Sequence, residues 1–277
     1  MARKPLLSLI VLTHNEELHL KRCLESAKGI AGQLIVVDSG SSDATLEIAR
    51  SLKAEIYHHE FRNQAEQFNW ALDNCDIRGE WVLRLDADEY LMPELMREIP
   101  EAAQTAPKGM NGFYMKRRVF FMGRWIRHGG YYPREFLRIF RRGKARSEPR
   151  EMDEHIVLLE GEAGRLTNDF VDENLKDLHE WTHKHNDFSS REAEAVLKRD
   201  TGEARTAEDR SRSMRKSFYM RLPLFFRAWW YFIWRFVFRA GFLDGRPGLI
   251  FHFLQGFWYR FLIDAKVYEA SRKKGKE

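Results

Sequence analysis

The stretch WVLRLDADEYL, residues 81–91, ends an apolar run of Trp81, Val82, Leu83 and Leu85 in three carboxylates within four positions, Asp86, Asp88 and Glu89. Carboxylates that close repel one another and raise each other's pKa unless a positive charge sits among them. Two of them separated by one residue at a strand's end can serve a divalent ion. Hard oxygen ligands suit Mg²⁺ or Mn²⁺, and Mg²⁺ characteristically takes one or two carboxylates together with phosphate oxygens. The plain alternative is an exposed acidic turn. Two further polar clusters share the placement, THNE (13–16) and DSGSSD (38–43), each after a short apolar run. Singly, either reads as a helix cap or a capped turn. Together they are expected to converge on one crevice, because open α/β sheets bind ligands beyond the carboxyl ends of their strands.

The elements that must position these clusters follow from the pattern. SLIVL (8–12) and LIVVD (34–38) are continuous β-branched runs, as for strands buried on both faces. Residues 16–28 between them predict a helix, closed by Gly29 and Gly32. LEIARSLKA predicts the next helix, AEIYHHE a third strand, QAEQFNWALDNC a helix and WVLRLD a fourth strand. Alternating β and α elements predict a mainly parallel sheet with helices on both faces. Beyond Glu89 the pattern changes: GFYMKRRVFF, EFLRIFRR and HIVLLEG read as β segments, and residues 177–215 as polar and helix-prone.

The chain of 277 residues can bury one large core or one domain with an appendage. Two cysteines, Cys23 and Cys75, are too few for a disulfide framework, which points to a reducing cytosol. The start, MARKPLLSLIVLTHNEE, reads as a strand rather than a signal peptide. The net charge of +5 is asymmetric: residues 211–277 hold 14 Lys/Arg against 4 Asp/Glu, a net of +10, so the remainder carries −5. A polyanionic surface is the expected partner of the basic end. No GxGxxG follows the first strand, which disfavours a nicotinamide dehydrogenase.

The series LIVLTHNE, LIVVDSGSSDAT and WVLRLDADE resembles the family 2 glycosyltransferases of GT-A fold. GRWIRHGGYYP, LRIFRRGKAR, the segment around MDEHI, HKHNDFSSREA and GFLDGRPGLIFHFLQGFWYRF resemble its bacterial branch that builds lipopolysaccharide core and surface polysaccharides. The resemblance implies an α/β GT-A fold, a Rossmann-like mixed sheet flanked by helices, with a C-terminal aromatic, basic helical extension. It implies a UDP-sugar donor, a hexose or N-acetylhexosamine as cargo, and a glycan or glycolipid acceptor. Thr13, Asn15, Glu16, Asp38 and Asn69, with Asp86 and Arg138, are then expected at the nucleotide, and Asp88 and Asp86 at a divalent cation, Mg²⁺ or Mn²⁺. Glu154 is the expected catalytic base. Asp153 beside it is expected to share the catalytic role and Asp172 to be a further metal ligand; both stand where relatives commonly carry His. Nucleic acid is not an expected partner, and a homo-oligomer is left open. The expected domains are a catalytic 1–176, a polar helical and partly mobile 177–216, and a membrane-associating 217–277.

Two segments invite other readings. HEWTH (179–183) fits H-E-x-x-H, in which His179 and His183 would hold zinc and Glu180 would activate water; the bland counterpart is a polar helix with surface histidines. A nucleotidyltransferase of similar fold and a non-catalytic membrane-binding module are the remaining alternatives. MRLPLFFRAWWYFIWRFVFRAGF (220–242) is long and apolar but holds four arginines. On a helix Arg221, Arg235 and Arg239 fall within about 40° of one another, with Arg227 about 80° further round. That predicts an interfacial helix with arginines toward lipid headgroups, and hence a cytoplasmic protein peripheral to the inner face of the membrane. The alternative is a helical hairpin packed on protein.

Overall fold

A computed structural model of the chain describes residues 6–148, 155–197, 219 and 222–274. They form two compact units, one of residues up to 120 together with 132–175, the other of residues 121–131 together with those from 176 onward.

In the first unit β1 (Leu7–Thr13), α1 (Leu20–Ala27), β2 (Gln33–Asp38), α2 (Thr45–Ser51), β3 (Glu55–His58), α3 (Gln64–Asn74) and β4 (Trp81–Asp86) alternate as expected. Then follow β5 (Glu89–Leu91), α4 (Pro93–Thr105), β6 (Met110–Phe121), β8 (Glu135–Arg141), β9 (Ala145–Ser147), β10 (Ile156–Leu158) and β11 (Glu162–Glu173); the two-residue β7 (Arg124–Trp125) belongs to the second unit. The main sheet runs β3-β2-β1-β4-β8-β6-β11-β5. Its first four strands are mutually parallel, and β8 joins β4 antiparallel. The sheet is therefore mixed, with a parallel half built from βαβ crossovers and a half built from longer returns.

Period-two alternation sorts the strand side chains onto two cores. Leu9, Val11, Val36 and Leu83 pack with Leu24 of α1 and Leu95 and Ile99 of α4. Ile10, Ile35, Val37 and Val82 pack with Phe68 and Ala71 of α3 on the other face. Both faces being covered explains why these strands read as unbroken apolar runs. Register then aligns the strand ends: Thr13 lies opposite Asp38, and Leu12 opposite Asp86.

The second unit is helical: α5 (Leu178–Leu197), α6 (Phe226–Ile233) continued by π turns to Phe238, a 3₁₀ turn (Gly241–Asp244), α7 (Gly245–Phe251), a π stretch (His252–Trp258) and α8 (Tyr259–Lys274). The continuous helix expected over 220–242 stops at Ala240, whose φ is +54°. Buried Asp244 accepts the backbone N–H of His128 at 3.0 Å and faces its Nδ1 at 2.6 Å, fastening the HGG turn to the 3₁₀ turn. His252 fills the space over Gly129, where a Cβ would lie 2.1 Å from the ring, so no other residue fits there.

The arginines of this unit run opposite to expectation. Arg227 is 2% and Arg235 5% exposed. Arg227 donates through Nε and Nη2 to Asp264, at 2.7 Å for Nε, and Arg235 Nε donates to the Gly129 carbonyl at 2.6 Å. Helical periodicity set Arg235 with Arg239 and placed Arg227 about 80° further round; in the fold Arg227 and Arg235 face inward, to a buried carboxylate and to the Gly129 carbonyl, while Arg239 stays exposed. Arg221 lies outside the described residues.

Candidate active site

The first two strand ends are tied into one turn. Asn15 takes φ +54°, which Asn tolerates better than most residues. Its backbone N–H donates to Ser41 Oγ at 2.9 Å, and its side-chain oxygen accepts the Ser42 N–H at 2.8 Å. Asp38 is fully buried and accepts from Gly40 N and Ser41 N, each at 2.9 Å, and from Thr13 Oγ1 at 3.2 Å. Burial alone would raise its carboxyl; the hydrogen bonds from Ser41, Gly40 and Thr13 outweigh burial and hold it below the ordinary aspartate value. Glu16 is oriented by fully buried His19, whose Nδ1 lies 2.6 Å from Glu16 Oε2. The Leu175 N–H donates to the other ring nitrogen at 2.7 Å, so Nδ1 carries the proton given to Glu16.

At the third strand end, Asp86 is met from three sides. Its Oδ1 accepts from Gln64 Nε2 at 3.0 Å and lies 3.4 Å from Arg84 Nη2; its Oδ2 accepts from Arg138 Nη2 at 3.1 Å. Glu89 is 1% exposed. One of its oxygens accepts the Asp86 N–H at 2.9 Å, and the other is ion-paired with Arg138. Arg138 is thus the positive charge that the acidic run requires. It does not cancel the whole: burial pushes the Glu89 carboxyl up to about 8 against the pull of Arg138, and Asp86 and Asp172 add to the rise. Asp88 occupies the turn between β4 and β5, half-buried, its carbonyl accepting the Glu173 N–H at 3.0 Å. Below it Cys23 is kept a thiol by burial and by the carboxylates of Glu89, Asp88 and Asp86.

Asp172 lies in register with Glu89 and pairs with Arg117 at 3.1 Å. Asn69 turns both ends of its amide to the backbone of Ser147, donating to its carbonyl and accepting its N–H, each at 2.9 Å. Ser147 and Ile156 pair across β9 and β10, and the Glu148 N–H donates to the His155 carbonyl at 2.9 Å. Glu154 and Asp153 lie outside the described residues, between those two anchors. Gln64 and Asn69 sit about 7.5 Å apart along α3, so one helix touches both Asp86 and the strand that leads toward Glu154.

Thr13, Asn15, Asp38, Glu16 and the Asp86–Glu89 group therefore stand on adjacent strand ends, with Asp172 beside Glu89. His19, Gln64 and Arg84 were not singled out in the sequence; only the i,i+3 spacing of Glu16 and His19 signals one of them. Among the described residues no group of three or more His, Cys, Asp or Glu side chains is arranged to hold a metal ion. A cation shared with a diphosphate needs fewer protein ligands, and the carboxylates of Asp86 and Asp88, two residues apart at the end of β4, fit one. His179 and Glu180 are exposed on α5, and His183 lies 3.6 Å from Asp187, an arrangement of surface side chains.

Residues 8–155 match the family described as Glycosyl transferase family 2. The chain belongs to that family. Its mixed sheet and strand-end site have the GT-A architecture, and the protein is a family 2 glycosyltransferase. It is 26% identical to the lipopolysaccharide core biosynthesis glycosyltransferase LpsC of Rhizobium meliloti, over 98% of this chain and 94% of that one. It is 39% identical to an uncharacterized glycosyltransferase of Rickettsia bellii, over 34% of this chain and 31% of that protein. Among solved structures, glucosyl-3-phosphoglycerate synthase of Mycobacterium tuberculosis with Mn²⁺, UDP and glucosyl-3-phosphoglycerate aligns at 20% identity and a TM-score of 0.34, covering 41% of this chain and 44% of that one.

Proposed function

We propose that this glycosyltransferase moves a hexose or N-acetylhexosamine from a UDP-sugar to a lipid-linked lipopolysaccharide or surface-glycan acceptor, with inversion. The observation that carries the reading is the convergence of Thr13, Asp38 and Asp86 on adjacent parallel strand ends, with Glu89 and Asp172 in register beside them. The Rhizobium relative, similar along nearly the whole chain, supports the acceptor class.

The turn held by Asp38 and Asn15, with Thr13 and Glu16, receives the uracil and ribose. Asp88, with Asp86 at its edge, would hold a divalent cation, which when bound neutralises the diphosphate and favours its departure. Arg138 and Glu89 keep Asp86 oriented rather than touching nucleotide. The acceptor oxygen attacks the anomeric carbon from the face opposite the diphosphate. Its proton passes to the Glu154 carboxylate, and the electron pair of the breaking carbon–oxygen bond leaves with UDP. A single displacement needs one base and no covalent intermediate. Asp172 stands beside Glu89, and Asn69 anchors β9 at Ser147, seven residues before the proposed base in the sequence.

A thermal-shift panel of nucleotide sugars with and without Mn²⁺ tests the donor, followed by product analysis for UDP. Glu154→Gln is expected to keep UDP binding and lose at least about 10²-fold in turnover, the scale of general base catalysis. Asp88→Ala is expected to lose the Mn²⁺ dependence of binding. Full transfer by either variant, or pyrophosphate as the product, refutes the assignment.

A further inference from the structure

The inward arginines of the second unit leave an unusual outer surface. Thirteen of the nineteen large apolar side chains exposed among the described residues fall between Phe226 and Tyr268. An exposed apolar concentration of that kind marks a contact surface rather than ordinary solvated helix. Ring contacts make part of it continuous across α6 and the segment from 252 to 268. Trp229 meets Phe257 at 4.4 Å, Phe257 meets Phe261 at 5.5 Å, and Phe253 meets Phe257 at 5.4 Å. Trp229 is 50% and Phe253 43% exposed.

The exposed charges around this surface are mainly basic. Between Leu222 and Tyr268 the acidic residues are Asp244 and Asp264, and both are buried. The cations Arg239 and Arg246 are exposed. We infer that this face docks in the plane of an anionic phospholipid bilayer, with Trp229, Phe253 and Phe261 in the acyl boundary and Arg239 and Arg246 at the headgroups. The Arg227–Asp264 pair and the Arg235–Gly129 bond hold the helices so that the aromatic side points out. Arg227 and Arg235 thus leave the headgroup side that helical periodicity gave them, Arg239 keeps it, and the mode of attachment stays interfacial.

Three considerations select the bilayer. No helix among the described residues is long and apolar enough to cross a membrane, so contact is lateral. A two-fold pairing of this surface with a second copy would set Arg239 and Arg246 against cations, and Glu269, the exposed carboxylate that follows Tyr268, is already paired with Lys273 at 2.9 Å. Residues 198–218, 220 and 221 offer as apolar side chains only Ala204, Ala207, Met214, Phe218 and Met220, a single aromatic ring against the many exposed here. Tryptophan with flanking arginine is the composition favoured where hydrocarbon meets headgroup.

The inference shares with the proposed function only the lipid-linked acceptor, and its test contains no nucleotide. The full chain is sedimented with vesicles of phosphatidylcholine, or of phosphatidylcholine with about 30% phosphatidylglycerol, an anionic fraction that attracts basic segments. Binding to the anionic vesicles is expected. Arg239→Gln and Arg246→Gln should each weaken it about fivefold, and the paired change Trp229→Ser with Phe253→Ser at least about tenfold with an unchanged melting temperature. Wild-type protein that ignores both vesicle types overturns the inference. So does a dimer in light scattering that the Trp229→Ser, Phe253→Ser variant dissolves. Either failure leaves the transfer reaction untouched.

Discussion

Both units bury arginine against carboxylate, and they differ in how far those charges open to solvent. At the strand ends Asp86, Glu89 and Asp172 are met by Arg138, Arg84 and Arg117, and the Asp86 side chain keeps 29% of its surface exposed. In the helical unit, Arg227 answers Asp264 one to one, and both are within 3% of complete burial. A cluster that opens to solvent at Asp86, with half-buried Asp88 in the adjoining turn, has a use for another cation. A balanced, closed pair has none and serves packing alone. The distinction separates a site from a staple without reference to any relative.

The largest expected effects break these pairs. Removing one partner of a buried pair strands the other charge, costing on the order of 3–5 kcal/mol, whereas replacing both with apolar groups is often neutral or stabilising. Asp264→Ala is therefore expected to lower denaturant stability by about that amount. Arg227→Met with Asp264→Leu should recover most of it, less the contribution of the Phe225 N–H that Asp264 accepts at 2.7 Å. At the strand ends the same repair should fail: Arg138→Met with Glu89→Leu still leaves Asp86 without its guanidinium, and transfer activity should disappear. Recovery of activity there would erase the distinction.

Acid sharpens the contrast at a smaller scale. Burial lowers His185 to about 4, and burial with Arg235 lowers His252 to about 4. Both histidines are in the helical unit and neutral when folded. The unfolded chain binds protons first as pH falls below about 6.5, so folded stability declines from there to about pH 4, on the order of 2–3 kcal/mol per histidine. Asp38 works in the other direction of balance: its lowered pKa contributes stability above the ordinary aspartate range and loses it only as pH falls through the folded value. Denaturation followed between pH 7 and pH 4.5, limits set by these ranges and so approximate (about ±0.5), should therefore weaken the helical unit first. Replacing His252 or His185 with Gln or Phe should flatten that slope, and an unchanged slope would remove both histidines from the account.

The strand-end site was legible because its signals are local. A strand buried on both faces must be apolar throughout, and parallel register then places Thr13, Asp38 and Asp86 on one edge. What the sequence hid was pairing over distance. Asn69 has the chemistry of a nucleotide ligand, yet Ser147, 78 residues on, consumes its amide. Arg138 looked like a phosphate ligand, but its partners are the carboxylates themselves. Periodicity grouped the arginines of α6 without revealing that Asp264, 37 residues away, would draw Arg227 inward. Spacing reports which side chains share a face, and only the fold reports what that face meets.

The smallest effect tests locality itself. Asn63 caps α3 by accepting the Glu66 N–H at 2.8 Å, and the next residue, Gln64, carries the bond to Asp86. In the helical unit α6 has no such local cap; the Phe225 N–H reaches the distant Asp264 instead. Asn63→Ala should cost about 1 kcal/mol, and Asn63→Gly a few tenths, as for ordinary N-caps. If fraying at Asn63 also releases Gln64, the alanine variant should bind UDP-sugar more weakly than its stability loss explains, and Gln64→Ala should reproduce the binding defect without the stability loss. Equal binding in all three would confine Gln64 to holding the helix end, and the polar bridge from α3 to the acidic cluster would then have no part in the donor site.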